Sequence, residues 1–188
     1  MSLNPTPRRK IILSMMVSLD GYTEGENGDI SWHVWNEEMD AYMMDFFPSV
    51  DTFIYGRKSY ELMLKHWPEQ QGAFAQVMND TPKLVFSKTL KVAEWNGKII
   101  DRVDPKFIQS LKAKTGKDLV LFAGSSIAAC FIRNHLIDEY RIIINPVILG
   151  KGKQLFQDIE LPFSLVLKES RQFANGNTLL HYADPKAL

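Results

Sequence analysis

Short apolar runs alternate with amphipathic helical patterns along almost the whole chain. This alternation is the strongest constraint on the fold. Lys10 to Ser18 reads as the first strand. Asn36 caps a helix through about Phe47, with Met39, Met43 and Phe46 at i, i+4 and i+7, and Pro48 marks its end. Asp51 to Gly56 is a strand and Arg57 to Trp67 a helix, with Tyr60, Met63, Leu64 and Trp67 on one stripe. A short helix over 69–80, a strand Pro82 to Ser87 and a brief strand Lys98 to Asp101 follow. Asp104 caps a helix to Thr115 with Pro105 at its first position. Asp118 to Ala123 is a strand, and Gly124-Ser125-Ser126 opens a helix to about His135. Asp138 to Val147 is a long strand. Phe163 to Phe173 and Asn177 to Tyr182 close the chain as a hairpin joined by Asn175-Gly176. Such an order predicts an α/β fold: a central, mostly parallel mixed sheet, helices on its faces, and an antiparallel C-terminal hairpin.

Several classes are excluded. The 188 residues read as one domain over 10–188 behind a flexible tail over 1–9, long enough for a core without disulfides. Lys plus Arg and Asp plus Glu both number 22, so no broad basic face for nucleic acid is expected. The single cysteine, Cys130, forms no internal disulfide, which points to a reducing cytoplasm. The four histidines lack metal-ligand spacing, so no metal site is expected. Arg8-Arg9-Lys10 before an apolar run resembles a signal peptide, but the run passes into Asp20-Gly21 without a small-x-small cleavage site. It reads as a buried first strand, and no run approaches the ~18 apolar residues of a membrane span.

Three strand exits share one chemistry: Gly56-Arg57-Lys58-Ser59, Ser87-Lys88-Thr89 and Gly124-Ser125-Ser126. Ligands of open α/β sheets bind beyond the carboxyl ends of the strands. Helix N-termini offer N–H groups and partial positive charge to phosphates, and glycine permits close approach. Together the exits point to a phosphorylated dinucleotide lying across the sheet, although GxGxxG and P-loop motifs are absent. Three acids are candidates for proton transfer or substrate orientation. Glu37 and Asp40 share a helix face, and Asp20 ends the first strand. The plainer readings are solvated helix residues and a turn acid. Cys130 reads as core. The loop 19–35, at about 17 residues, exceeds ordinary loop length and carries Trp32 and Trp35, which either stack on a flat ligand ring or fold over the core.

Ser18-Leu19-Asp20-Gly21 followed by Gly56-Arg57-Lys58-Ser59-Tyr60-Glu61 resembles the dihydrofolate reductase-like superfamily. Gly124-Ser125-Ser126, Leu136-Ile137-Asp138-Glu139-Tyr140 and Pro146 through Phe156 narrow the likeness. They resemble the reductase domain of the bifunctional riboflavin-biosynthesis deaminase-reductase, as do Gly176 and Leu180-His181-Tyr182. The resemblance covers about residues 10–183. It implies a three-layer α-β-α fold of about eight strands, an NADPH cofactor and a homodimer joined through the late strands. It implies that Gly56, Arg57, Lys58 and Ser59 hold cofactor phosphates, with Ser87 and Lys88 near the adenosine 2′-phosphate. Gly124, Ser125, Ser126 and Ile127 would cover the pyrophosphate and nicotinamide side. Folate reductases carry paired glycines where this chain has Ala123-Gly124, and their helical acid matches Asp40 by distance to Gly56 or Glu37 by distance from Trp32. No Cys/His cluster of a zinc deaminase is present.

The expected activity is hydride transfer from NADPH to a C=N or C=O of a small substrate. The substrate would be pterin-like, ribosylaminopyrimidine-like or another carbonyl compound, with the long loop closing over it. The alternative is a non-catalytic, dimeric NADP- or nucleotide-binding module. A Cys130-dependent hydrolase is disfavoured, because no histidine stands in a recognisable arrangement with it.

Overall fold

A computed structural model describes residues 8–122, 124–157, 159 and 162–188. The expected tail therefore lies outside the described residues up to residue 7, as does Ala123. The strands are β1 (Ile11–Ser18), β2 (Tyr22–Glu24), β3 (Val50–Gly56), β4 (Lys83–Phe86), β5 (Gly97–Ile100), β6 (Asp118–Leu121), β7 (Glu139–Asn145), β8 (Lys153–Gln154), β9 (Val166–Gln172) and β10 (Thr178–Ala183). The α-helices are α1 (Glu37–Phe46), α2 (Arg57–His66), α3 (Ala73–Asp80), α4 (Pro105–Lys112) and α5 (Ser125–Arg133).

Eight of these strands form one sheet in the order β5-β4-β3-β6-β1-β7-β10-β9. It is parallel from β5 to β7 and antiparallel through β10 and β9. Alternation along each strand sends side chains to opposite faces. Ile11, Leu13, Ile54, Leu119 and Leu121 pack with α4 and α5 through Ile108, Leu111, Phe131 and Ile132. Ile12, Phe53, Tyr55 and Val120 pack on the other face, against Met39, Met43, Tyr60 and Met78 of α1, α2 and α3. The three-layer arrangement thus follows from period 2 in the strands and period 3.6 in the helices. The final hairpin is shorter than its sequence pattern. Gly176, at φ +90, closes a turn in which its N–H donates to the Phe173 carbonyl (3.0 Å).

The amino ends of the parallel strands are tied by charge. Asp118 accepts from the Lys10 N–H (2.7 Å), Asp138 from the Ile11 N–H (2.7 Å) and Asp51 from the Lys117 N–H (2.8 Å). Lys112, 5% exposed, reaches Asp138 at 2.6 Å, and Arg9, expected in the loose tail, is buried and paired with Asp51. Glu139 accepts from Lys10 Nζ (2.6 Å) and faces His181 Nε2 at 3.0 Å. The hydrogen bond from His181, followed by Lys10, holds its carboxyl at about 2, well below the usual range. A depressed folded-state value gives stability that is complete above the unfolded value, near pH 4.5, and is lost as pH falls toward 2. That contribution is on the order of 3 kcal/mol. Urea unfolding between pH 5 and 2 should show the wild type losing about that much more stability than Glu139→Gln. Parallel curves would remove Glu139 from the acid transition.

The 19–35 segment holds more regular structure than its sequence suggests. β2 pairs antiparallel with β8, inside the stretch expected to be only a turn. Val34 is pinned by two fully buried asparagines: its N–H donates to Asn145 Oδ1 (3.0 Å) and its carbonyl accepts from Asn177 Nδ2 (2.7 Å). The carboxyl edge of the sheet is thereby roofed by a ribbon rather than a free loop.

Candidate functional site

Two joined cavities open beneath that ribbon. The outer is a cleft of about 1280 Å³ beyond the carboxyl ends of β3 and β6, lined by the starts of α2 and α5 and by Glu24 to Gly28 and Lys151 to Lys153. The inner, of about 440 Å³, runs between the sheet and α1, α2 and α3. Glu24, Ile30, Ser59, Leu62 and Gly124 line both.

Helix starts at the outer cleft differ from those of α1 and α4, whereas α3 likewise begins after a glycine, Gly72, without a side-chain cap. α1 is capped by the Asn36 side chain, with Glu37, Glu38 and Asp40 in its first turn, and α4 is capped by Asp104. α2 and α5 each begin after a glycine, Gly56 and Gly124, with no side-chain cap and no acid in the first turn. Their free N–H groups and dipoles are left for an anion. The two starts interlock: a Cβ on Gly56 would lie 3.1 Å from Ile127 Cγ2, and one on Gly124 3.2 Å from Ser59 Oγ. Ser125 is 2% exposed, and its hydroxyl lacks a partner in the protein although it lines the cleft. An orphaned buried hydroxyl beside two uncapped helix starts suits a phosphate-bearing ligand. Lys58 is exposed, Lys151 and Lys153 face the starts from the ribbon, and Arg57 is held by Glu61 at 3.0 Å.

Apolar groups dominate the inner cavity: Met15, Met16, Met43, Met63, Phe47, Phe74, Phe122 and Ile143, with Trp35 and Trp67. Two polar atoms there lack partners in the protein, His33 Nε2 and Tyr55 Oη. Burial pushes the His33 imidazole below its usual range and the Tyr55 phenol well above its own, so both stay neutral near pH 7.

Of the residues named from sequence, Gly56, Arg57, Lys58, Ser59, Gly124, Ser125, Ser126 and Ile127 come together around the outer cleft. Ser87 and Lys88 do not line it. The Ser87 hydroxyl accepts from the N–H groups of Thr89 (3.2 Å) and Leu90 (2.9 Å), and Lys88 is exposed. Asp20, Glu37 and Asp40 line neither cavity. The Asp20 carboxyl is held below the usual range by the Ser18 hydroxyl (2.6 Å), with help from the N–H groups of Gly150 (2.8 Å) and Leu149 (3.1 Å). It clamps the start of the 149–153 turn. Asp40 accepts from the Trp35 indole N–H at 2.7 Å, and Glu37 is exposed. Cys130 is half-buried on α5 and lines neither cavity. Sequence reasoning passed over His33, Tyr55 and Glu24. A histidine between two tryptophans in an overlong loop was the available signal for the first.

The model of the RibD C-terminal domain family matches residues 9–179. The uncharacterized protein YyaP of Bacillus subtilis (strain 168) is 33% identical over 184 residues, 95% of this chain and 97% of that protein. YwjB of the same organism, also uncharacterized, is 30% identical over 93% of this chain and 97% of its own length. Among solved structures, a Shewanella sp. PV-4 protein named provisionally for riboflavin biosynthesis has TM-score 0.77 and 23% identity, covering 93% of this chain and 98% of that one. A diaminohydroxyphosphoribosylaminopyrimidine deaminase/5-amino-6-(5-phosphoribosylamino)uracil reductase of Thermotoga maritima has TM-score 0.65 and 15% identity, covering 94% of this chain and 57% of that one. These structural likenesses establish the RibD-type fold.

Proposed function

The chain belongs to the RibD C-terminal domain family, and from that premise we propose that it is an NADPH-dependent reductase of a small C=N or C=O compound. One observation carries this reading. Two uncapped helix starts meet around the orphaned Ser125 hydroxyl in an outer cleft that opens directly into an apolar inner cavity. The polar cleft suits the phosphates of a dinucleotide, and the apolar cavity suits a ring and a water-excluded reaction.

In this reading Gly56, Arg57, Lys58 and Ser59 hold phosphate at the start of α2, and Gly124, Ser125, Ser126 and Ile127 hold it at the start of α5. Bound NADPH supplies the hydride. Lys58, free on the cleft wall, meets the extra phosphate that separates NADPH from NADH, with Ser87 and Lys88 one strand further out. Asp40 is a positioning residue that fixes the Trp35 indole against the inner cavity. Asp20 positions the ribbon through Leu149 and Gly150. The shared lining at Glu24, Ile30 and Leu62 closes the junction to water.

Thermal melting with NADPH, NADH, FMN and ATP in parallel tests the reading. At a hundred times its Kd, NADPH should stabilise by about 2.7 kcal/mol, a rise of roughly 5–10 °C for a domain of this size. Ser125→Ala should lose most of that rise. A shift with FMN alone would sink the proposal. An NADPH shift without oxidation of NADPH by any compound in a broad carbonyl screen would favour a binding module.

A further inference from the structure

Resting on the reductase reading, we propose that the inner cavity selects an uncharged, planar ring compound without a phosphate, hydrogen-bonded by His33 and Tyr55. The walls supply the first argument. Among the described residues lining this cavity there is no Lys, Arg or Asp. Its one carboxylate, Glu24, stands at the junction with the outer cleft and is paired with Lys153 at 2.9 Å. His66 is exposed. A phosphate or carboxylate drawn inside would lose its water and find no counter-charge.

The second argument is the polar pair. Tyr55 is fully buried, and its hydroxyl has no partner; His33 Nε2 is likewise buried and bare. The Thr23 backbone lies against the His33 ring. With the ring proton on Nδ1, Nε2 is an acceptor. Tyr55 O–H is a donor. The protein therefore presents one unpartnered donor and one unpartnered acceptor in a mainly apolar box, and buried polar atoms of this kind call for a complementary partner. A ring carrying both a C=O and an N–H group offers a partner to each. The flat faces of such a ring meet Met and aromatic side chains, which pack well against π-systems.

Trp35 and Trp67 line the cavity, so their fluorescence reports its filling. Three probes separate the terms: isatin, N-methylisatin and isatin-5-sulfonate, titrated into the full chain, with ribose 5-phosphate as the phosphorylated comparison. Isatin should quench saturably. Isatin-5-sulfonate should bind at least 50-fold more weakly, and ribose 5-phosphate should leave the signal unchanged. N-methylisatin should bind about 10-fold more weakly than isatin, and His33→Ala should weaken isatin similarly while leaving N-methylisatin as it was. Tyr55→Phe, which removes only an oxygen from the core, should weaken isatin and N-methylisatin alike. Sulfonate binding equal to isatin, quenching by ribose 5-phosphate, no isatin binding at millimolar concentration, or indifference to both variants would overturn the proposal. The NADPH melting shift is a separate readout. Its loss with isatin binding intact would sink the reductase reading alone, and its presence without isatin binding would sink this inference alone.

Discussion

Gly152→Ala is expected to reduce kcat/KM by about 100-fold, the scale at which misplacement of a site by an ångström is felt, while the chain stays folded. A Cβ at this position would lie 2.0 Å from the Glu24 carbonyl oxygen and 2.9 Å from Gly25 Cα, and the residue sits at φ +136. Both obstacles are backbone, so the two strands must separate. That ribbon is held by the Tyr22–Gln154 and Glu24–Lys153 pairing, by the Leu155 N–H to the Gly21 carbonyl (3.0 Å) and by Thr23 Oγ1 to the Lys153 carbonyl (3.1 Å). Moving it displaces Glu24, which lines both cavities, and Thr23, which His33 faces. The eight-stranded sheet does not include β2 or β8. Overpacking strain of about 1–3 kcal/mol should therefore lower Tm by only several degrees. Gly150→Ala is the control. Its φ is +70 but nothing lies within 4 Å of the added Cβ, so a far smaller loss of activity is expected. Equal kcat/KM for Gly152→Ala and wild type would show that the ribbon does not shape the site.

The same ribbon marks where sequence reading ran out. β1, β3 and β6 were legible because each is an apolar run between turn residues, α1 and α2 because their apolar stripes repeat at helical spacing, and α5 because Gly124-Ser125-Ser126 opens it. The cleft was legible for a related reason. Gly56 and Gly124 stand at strand exits, and exits of neighbouring parallel strands must converge on one edge. β2 and β8 have three residues and two, too few for any periodicity. Their pairing joins segments about 130 positions apart, as the bond from Thr23 to Lys153 does. The acids stand away from both cavities for a different reason. A carboxylate at a strand end or in a first helical turn satisfies backbone and dipole equally well whether or not a ligand is near. Asp20 and Asp40 are taken up by Gly150 and Trp35. His33 and Tyr55 carried no local pattern. Their chemistry lies in lacking a partner, and only the three-dimensional packing exposes that.

Gly124→Val should abolish the NADPH melting shift, a loss of affinity of at least about 100-fold, equivalent to some 2.7 kcal/mol at saturating cofactor. The backbone at Gly124 (φ −67, ψ 162) admits any side chain, so the glycine is not there for the turn. It is there for space. Its Cβ would already stand 3.2 Å from Ser59 Oγ, and the two further methyls of valine would fill the gap between the starts of α2 and α5. Little should happen to the fold, because Gly124 is only half-buried and the added carbons enter the cleft rather than the core. Gly124→Ala gives the graded case. Its single methyl presses on Ser59, so NADPH affinity should fall about 10-fold, and Ser59→Ala in the same chain should recover part of the loss by vacating that space. Residues in contact should show such coupling, of at least roughly 0.5 kcal/mol, whereas a methyl that merely displaced water from the cleft would weaken binding by the same factor in both backgrounds. An unchanged NADPH shift in Gly124→Val would place the cofactor elsewhere. Purely additive alanine effects would locate the obstruction at the ligand and not at the contact between the two helix starts.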